Sequence, residues 1–241
     1  MDIKLILSYT RRTVDSYEMI EEGDRIAVGV SGGKDSLALL CALAHLRKFY
    51  PKKFDIVAIS IDMGFEGTDY SGIKALCEEL EVELKIVKTQ IYQIIFDVRK
   101  EDSPCSLCSR MRRGALNDAA DEFSCNKVAL GHHMDDVIET YMMNLFFAGK
   151  IGTFSPVTYL DRSKITCIRP LIYVPEKDIR YFASKENLPV FKNKCPADGN
   201  TERENMKKRL FELQREIPDI KNKIFGAIQR AEISGFKPLK K

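Results

Sequence analysis

Two glycines flanked by a lysine, an aspartate and two serines stand in the run Ser31-Gly32-Gly33-Lys34-Asp35-Ser36. Glycines let a backbone approach a ligand without a side chain in the way, and the free N–H groups of a helix start favour an anion. Lys34 adds a mobile positive charge, the serines add hydroxyl donors, and Asp35 is placed to hold a magnesium ion that phosphates share. The chemistry this set suits is handling a polyphosphate, with Lys34 and Asp35 as the catalytic candidates. The spacing is neither that of the G-x-x-x-x-G-K-[ST] loop nor that of the G-x-G-x-x-G dinucleotide fingerprint.

Further along the chain are four more groups with chemical potential. Asp62 ends an apolar run, Ile56 to Ile61, and so points to the carboxyl end of a strand. Cys105 and Cys108 sit three apart with Arg110, Arg112 and Arg113 close behind. A helix start and three arginines both favour thiolate over thiol. This pair supports three readings: a redox couple, half of a zinc site, or two ligands of an iron-sulfur cluster. The arginines read either as a solvated helix face or as contacts to nucleic-acid phosphates. Gly131-His132-His133-Met134-Asp135-Asp136 follows another apolar run; without an H-E-x-x-H pattern, the histidines suit a structural or nucleotide-positioning role better than metal ligation. Arg169 precedes Pro170 at a strand end, where it either reaches phosphates or forms a surface ion pair.

The elements that must position these residues alternate between strand and helix. Ile26 to Val30, Phe54 to Ile61, Val82 to Val87, Lys127 to Leu130 and Ile165 to Ile168 read as five strands, with helices between them. That alternation predicts an α/β fold built on a doubly wound, mainly parallel, five-stranded sheet with a helical C-terminal extension. The expected organisation is an N-terminal helix over 1–22, a nucleotide-binding α/β domain over 23–186, and C-terminal loop and helices over 187–241. Residues 150–164 read as a polar connection, and Gly149 as the C-cap of the helix before it. Lys192, Lys194, Arg203, Lys207, Lys208, Arg209 and Arg215 give the C-terminal part a basic face, for RNA or for solvent.

With 241 residues, 44% of them hydrophobic, the chain can bury one sizeable core. No apolar run reaches membrane-spanning length, and the first residues lack a signal-peptide pattern, so a cytoplasmic protein is expected. The seven cysteines are therefore not expected to form disulfides. Cys41, Cys77, Cys125 and Cys167 lie in or beside apolar stretches and read as core residues, whereas Cys105, Cys108 and Cys195 lie among polar ones.

The S-G-G-x-D-S run resembles the loop of enzymes that split ATP between its α and β phosphates and adenylate a substrate. Over nearly its whole length the chain is similar to the tRNA 2-thiocytidine synthetase family. The matching pieces are Thr10 to Arg12 with Met19 to Ile26, Ser31 to Ser36, Pro104 to Cys108, Gly131 to His133 with Asp135-Asp136, and Ile168 to Leu171. The resemblance implies an adenine nucleotide alpha hydrolase-like fold. It implies ATP contacts from Ser31, Gly32, Gly33, Lys34, Asp35, Ser36, Asp62, Gly131, His132, Asp136 and Arg169. It implies a 4Fe-4S cluster held by Cys105, Cys108 and Cys195 with one iron free; the family's late C-x-x-C is reduced here to the single Cys195. The cofactors so implied are ATP, magnesium and the cluster. Its partners would be tRNA and a sulfur donor of the cysteine desulfurase kind, with no membrane and with room for a homodimer. The activity implied is ATP-dependent thiolation of a base carbonyl. The rival readings are a lysidine-forming or amide-forming ligase on the same loop, and a zinc-stabilised nucleotide-binding module.

Overall fold

In a computed structural model, which describes residues 3–65, 67–99, 104–191, 195 and 201–239, the strands join one sheet in the order β3-β2-β1-β4-β6-β5. These are β1 (Asp24–Gly29), β2 (Phe54–Asp62), β3 (Glu83–Lys88), β4 (Lys127–Ala129), β5 (Val157–Leu160) and β6 (Ile165–Ile168). All neighbours pair in parallel except β5 and β6, which pair antiparallel. The centre is apolar on both sides, as parallel strands covered by helices require: Ile26, Ala27, Val28 and the run Ile56 to Ile59 are buried.

The sheet thus has six strands where five were expected. The extra one, β5, lies inside the span that reads as a polar connection. It has only four residues, Tyr159 is exposed, and only β6 flanks it. Such a short edge strand carries too little alternation to stand out from its glycine- and proline-containing surroundings. A turn over 161–164, with Lys164 at φ 55, returns the chain to β6.

Helices cover both faces. α2 (Lys34–Arg47) is buried almost all round from Ser36 to Leu46 and packs with α1 (Ile3–Ser16) and α6 (Glu176–Lys185) on one face. Truncating a side chain such as Leu40 there would cost about 2–5 kcal/mol. On the other face α4 (Pro104–Glu122) sets Leu116, Ala119 and Ala120 against Ala27, Val57 and Val128. α3 (Ser71–Glu79) links β2 to β3, and a π-helical turn over Gln93–Val98, absent from the sequence expectation, precedes α4. α5 (Met134–Ala148) ends at Gly149 in the left-handed conformation, the expected cap. α7 (Glu202–Glu216) and α8 (Ile220–Arg230) pack on α5. α1 stops at Ser16, before the expected residue 22. Cys41, Cys77, Cys125 and Cys167 are buried, as core thiols should be.

β1 is flanked by β2 on one side and β4 on the other, with α2 and α4 covering opposite faces. A crevice opens at the carboxyl ends of β1 and β4, where a doubly wound sheet reverses its order.

Candidate active site at the sheet switch point

The turn between β1 and α2 lies at the floor of this crevice. Gly32 adopts φ +80, and a Cβ there would lie 2.3 Å from the Phe191 ring, so two constraints demand glycine. Ser36 Oγ accepts from Ser31 N at 3.1 Å and donates to Gly33 O at 2.9 Å, holding the turn closed on itself. No side chain caps the start of α2, so its first amides face the crevice ready for an anion. Gly131, after β4, comes so close that a Cβ would lie 2.9 Å from the Asp35 carbonyl.

The resulting cleft has a volume of about 330 Å³ and is lined by Ser31, Asp35 and Ser36 from the loop and by Gly131, His132 and Asp136 from the β4–α5 junction. Six of the expected nucleotide contacts therefore line one cleft. Ser60, Tyr70 and Phe191 line the cleft as well, and so do Arg112 and Arg113 of α4.

Lys34 Nζ lies 2.9 Å from Asp35 Oδ2 and 3.0 Å from Glu176 Oε1. Burial works against its charge, but these two carboxylates outweigh it and hold its pKa above the usual lysine value. Asp35 Oδ1 is enclosed and has no hydrogen-bond partner among the described residues. His133 Nε2 lies 3.6 Å from it.

His133 caps α5. Its N–H donates to Asp136 Oδ2 at 2.9 Å, and Asp136 N donates to His133 Nδ1 at 3.3 Å, a reciprocal capping box. Since Nδ1 accepts, the neutral ring carries its proton on Nε2, toward Asp35. Burial disfavours the Asp136 carboxylate, yet His133 and Arg203 overcome this and hold its pKa down. Burial drives His132 the other way, down to about 4, so it is a neutral ring at neutral pH, stacked 4.8 Å from Phe154.

Asp62 and Arg169, like Gly32, Gly33 and Lys34, are not among the residues that line the cleft. Asp62 Oδ1 accepts from Gly64 N at 3.0 Å. The Tyr70 hydroxyl, pushed up to about 12 by burial and then by the Asp62 charge and hydrogen bond, bridges Asp62 to the lining. Arg169 is buried: Nη1 donates to Ser155 O at 2.7 Å and to Thr158 Oγ1 at 3.2 Å, and its guanidinium lies over Phe154, 5.1 Å from the ring centre. No carboxylate pairs with it among the described residues, so the surface ion pair is not its role.

The cysteine pair opens α4 beside Met63, which lines the cleft; Cys108 Sγ is 3.9 Å from Met63 Sδ. Burial raises the Cys108 thiol pKa more than Arg112 lowers it, which reverses the expectation of a thiolate at this position. Cys105 and Cys195 both push the same thiol up further, so all three polar-zone cysteines share one electrostatic neighbourhood. Among the described residues no three such donors are already gathered at metal-ligand distances.

The sequence expectation missed how the C-terminal helices close the site. Arg203 and Lys207 read as part of a basic face, but Arg203 Nη1 lies 2.9 Å from Asp136 Oδ1 and Lys207 Nζ lies 2.8 Å from Glu176 Oε1. Lys192 and Lys194 of that face lie outside the described residues. Glu176 carried no local sequence sign beyond an acidic first turn, which is common at any helix start. Phe191 carried none.

Comparison with known proteins agrees with this geometry. Residues 7–214 match the PP-loop domain family. A tRNA-cytidine(32) 2-sulfurtransferase of Geotalea uraniireducens is 43% identical over 92% of this chain and 89% of its own length. The protein of that name from Pelobacter propionicus is 42% identical over 90% and 82%. Among solved structures, U34-tRNA thiolase NcsA from Methanococcus maripaludis with its 4Fe-4S cluster is 28% identical, with a TM-score of 0.71 over 93% of this chain and 77% of that one. An NH3-dependent NAD synthetase from Campylobacter jejuni, 17% identical with a TM-score of 0.52 over 100% and 99%, shares the fold. With this loop at the switch point of this sheet, and with relatives of that identity over nearly the full length, the chain belongs to the PP-loop domain family and, within it, to the tRNA-cytidine(32) 2-sulfurtransferases.

Proposed function

We propose that this chain is an ATP-dependent tRNA thiolase that converts cytidine 32, the position in its relatives' name, to 2-thiocytidine. The base carbonyl oxygen attacks the α-phosphorus of ATP and pyrophosphate leaves. Hydrosulfide then attacks the adenylated carbon, AMP departs with the former carbonyl oxygen, and loss of the sulfur's proton leaves the thiocarbonyl. Lys34 and the first amides of α2 stabilise charge on the leaving pyrophosphate. Ser31 to Ser36, Gly131, His132 and Asp136 hold the nucleotide, with Asp62 acting through Tyr70 and Arg169 supporting the wall behind His132. Arg112 and Arg113 supply positive charge where ATP and RNA meet.

Asp35 would hold magnesium: its enclosed Oδ1 has lone pairs without a partner, and magnesium takes one or two carboxylates together with substrate phosphates. Cys105, Cys108 and Cys195 would hold a 4Fe-4S cluster, for which thiolates are the usual ligands. When bound, the cluster supplies an open iron for sulfide, since three thiolates leave its fourth metal without a protein ligand. Sulfur would come from a donor of the cysteine desulfurase kind, its persulfide reduced to sulfide by a thiol reductant, and the reaction would take place in the cytoplasm. No helix among the described residues is long and apolar enough to cross a membrane.

One observation carries this reading: the glycine loop turns at the switch point of the sheet in a chain 43% identical, over 92% of its length, to a tRNA-cytidine(32) 2-sulfurtransferase. The test is anaerobic protein with ATP, magnesium, sulfide and tRNA, followed by nucleoside mass spectrometry. The expected product is 2-thiocytidine, formed only with ATP. Incorporation of lysine or ammonia instead of sulfur would replace this activity with a ligase on the same loop.

A further inference from the structure

We propose that Glu176 is a positioning residue for Lys34, a role that rests on the adenylation step above and extends it to a residue outside the loop. Its Oε1 receives three cations: Lys34 at 3.0 Å, Lys207 of α7 at 2.8 Å and Arg180 at 3.1 Å. The carboxyl is buried, and although burial works against its charge, Lys207 and Lys34 hold its pKa well below the usual range. Its own N–H donates to Asp135 Oδ2 at 2.8 Å, and Asp135 pairs with Lys221 of α8 at 2.7 Å. Four helices, α5 to α8, therefore fix the point from which Lys34 is held.

This arrangement is a tether rather than a clamp. When a polyphosphate draws Lys34 toward it, Lys207 and Arg180 still neutralise Glu176, so no buried carboxylate is stranded. Without the carboxylate, the Lys34 and Lys207 ammonium groups repel across the vacated point, and Lys34 falls back on Asp35 alone. ATP binding, which rests chiefly on the loop amides, would survive; charge stabilisation as pyrophosphate leaves would not.

Glu176→Gln keeps the shape and the backbone hydrogen bond to Asp135. In tRNA-dependent pyrophosphate release it should lower kcat by about 10- to 100-fold, as misplacement of a catalytic group does, while KM for ATP stays within about threefold. In a Lys34→Ala background the same change should add less than about twofold, because Glu176 acts through that lysine. Glu176→Gln should melt lower than the wild type, since Lys34 and Lys207 lose a buried partner, yet it should be fully folded at the assay temperature and bind ATP calorimetrically as the wild type does, which separates positioning from folding. A loss confined to KM, or equal losses in both backgrounds, would overturn the proposal. So would wild-type kinetics in Glu176→Gln. A wild type that releases no pyrophosphate with any tRNA would instead overturn the thiolase reading, and this role with it.

Discussion

Gly32 and Gly33 are adjacent in sequence and unlike in constraint. Gly32 holds φ +80 beneath Phe191, whose N–H donates to Gly32 O at 3.1 Å; Gly33 has an ordinary φ of −78, and the nearest atom to a Cβ there is Ser31 Oγ at 3.5 Å. Gly32→Ala should therefore destabilise the fold by about 1–3 kcal/mol from backbone strain alone, with a further loss as the Phe191 ring is displaced. Gly33→Ala should stay within about 1 kcal/mol. Urea unfolding of the two variants checks this, and equal stability would refute both the strain at Gly32 and the obstruction by Phe191. The glycine pair was legible because a phosphate loop is a local motif. Which glycine is indispensable was not, because φ at Gly32 and the ring above it depend on a residue distant in sequence.

At the scale of elements, α7 does what a basic face would not. Arg203 lies 2.9 Å from Asp136 Oδ1 and 3.7 Å from Glu139 Oε2, and donates to Thr140 Oγ1 at 3.1 Å, so α7 is latched to α5 beside the nucleotide wall. Sequence periodicity located both helices but not the latch, since a charge pattern does not say which charges meet an opposite one. Glu139 is buried, and burial followed by repulsion from Asp136 raises its carboxyl to about 7, with Arg203 and Lys207 opposing. Because its folded pKa exceeds its unfolded one, its contribution to stability is fully present below about 4.5 and is lost as pH rises through about 7. Arg203→Met removes a cation that opposes this loss. The variant should be less stable by about 1–3 kcal/mol at pH 8, the cost of a buried acceptor losing its partner. At pH 5, where Glu139 is protonated, the deficit should be smaller. Chemical denaturation at the two pH values tests this, and a deficit that does not change with pH would mean the latch acts through Asp136 alone.

The whole molecule sets the crevice by strand order, and alternating strands and helices were enough to predict that crevice. The edge strand β5, the π-helical turn and Phe191 escaped because their places depend on packing partners far along the chain. The same would hold for a convergence of thiols, which the spacing of Cys105 and Cys108 suggests but does not complete. Cys195 is the residue on which this last assembly turns. If three thiolates hold the cluster, Cys195→Ser should lose most of its iron and the visible absorbance of the anaerobic protein, because two cysteines leave half of the metal ions without a protein ligand. The nucleotide wall is built from other elements, namely the β1–α2 loop, the β4–α5 junction and α6, so ATP affinity measured by calorimetry should stay within about threefold of wild type. Cys167→Ser, on a buried core thiol in β6, is the contrasting change: it should alter stability and leave the iron content of the folded protein in place. Full iron retention in Cys195→Ser would mean that the late thiol is not a ligand, and would leave the cysteine pair at the start of α4 to the redox and zinc readings its spacing also permits.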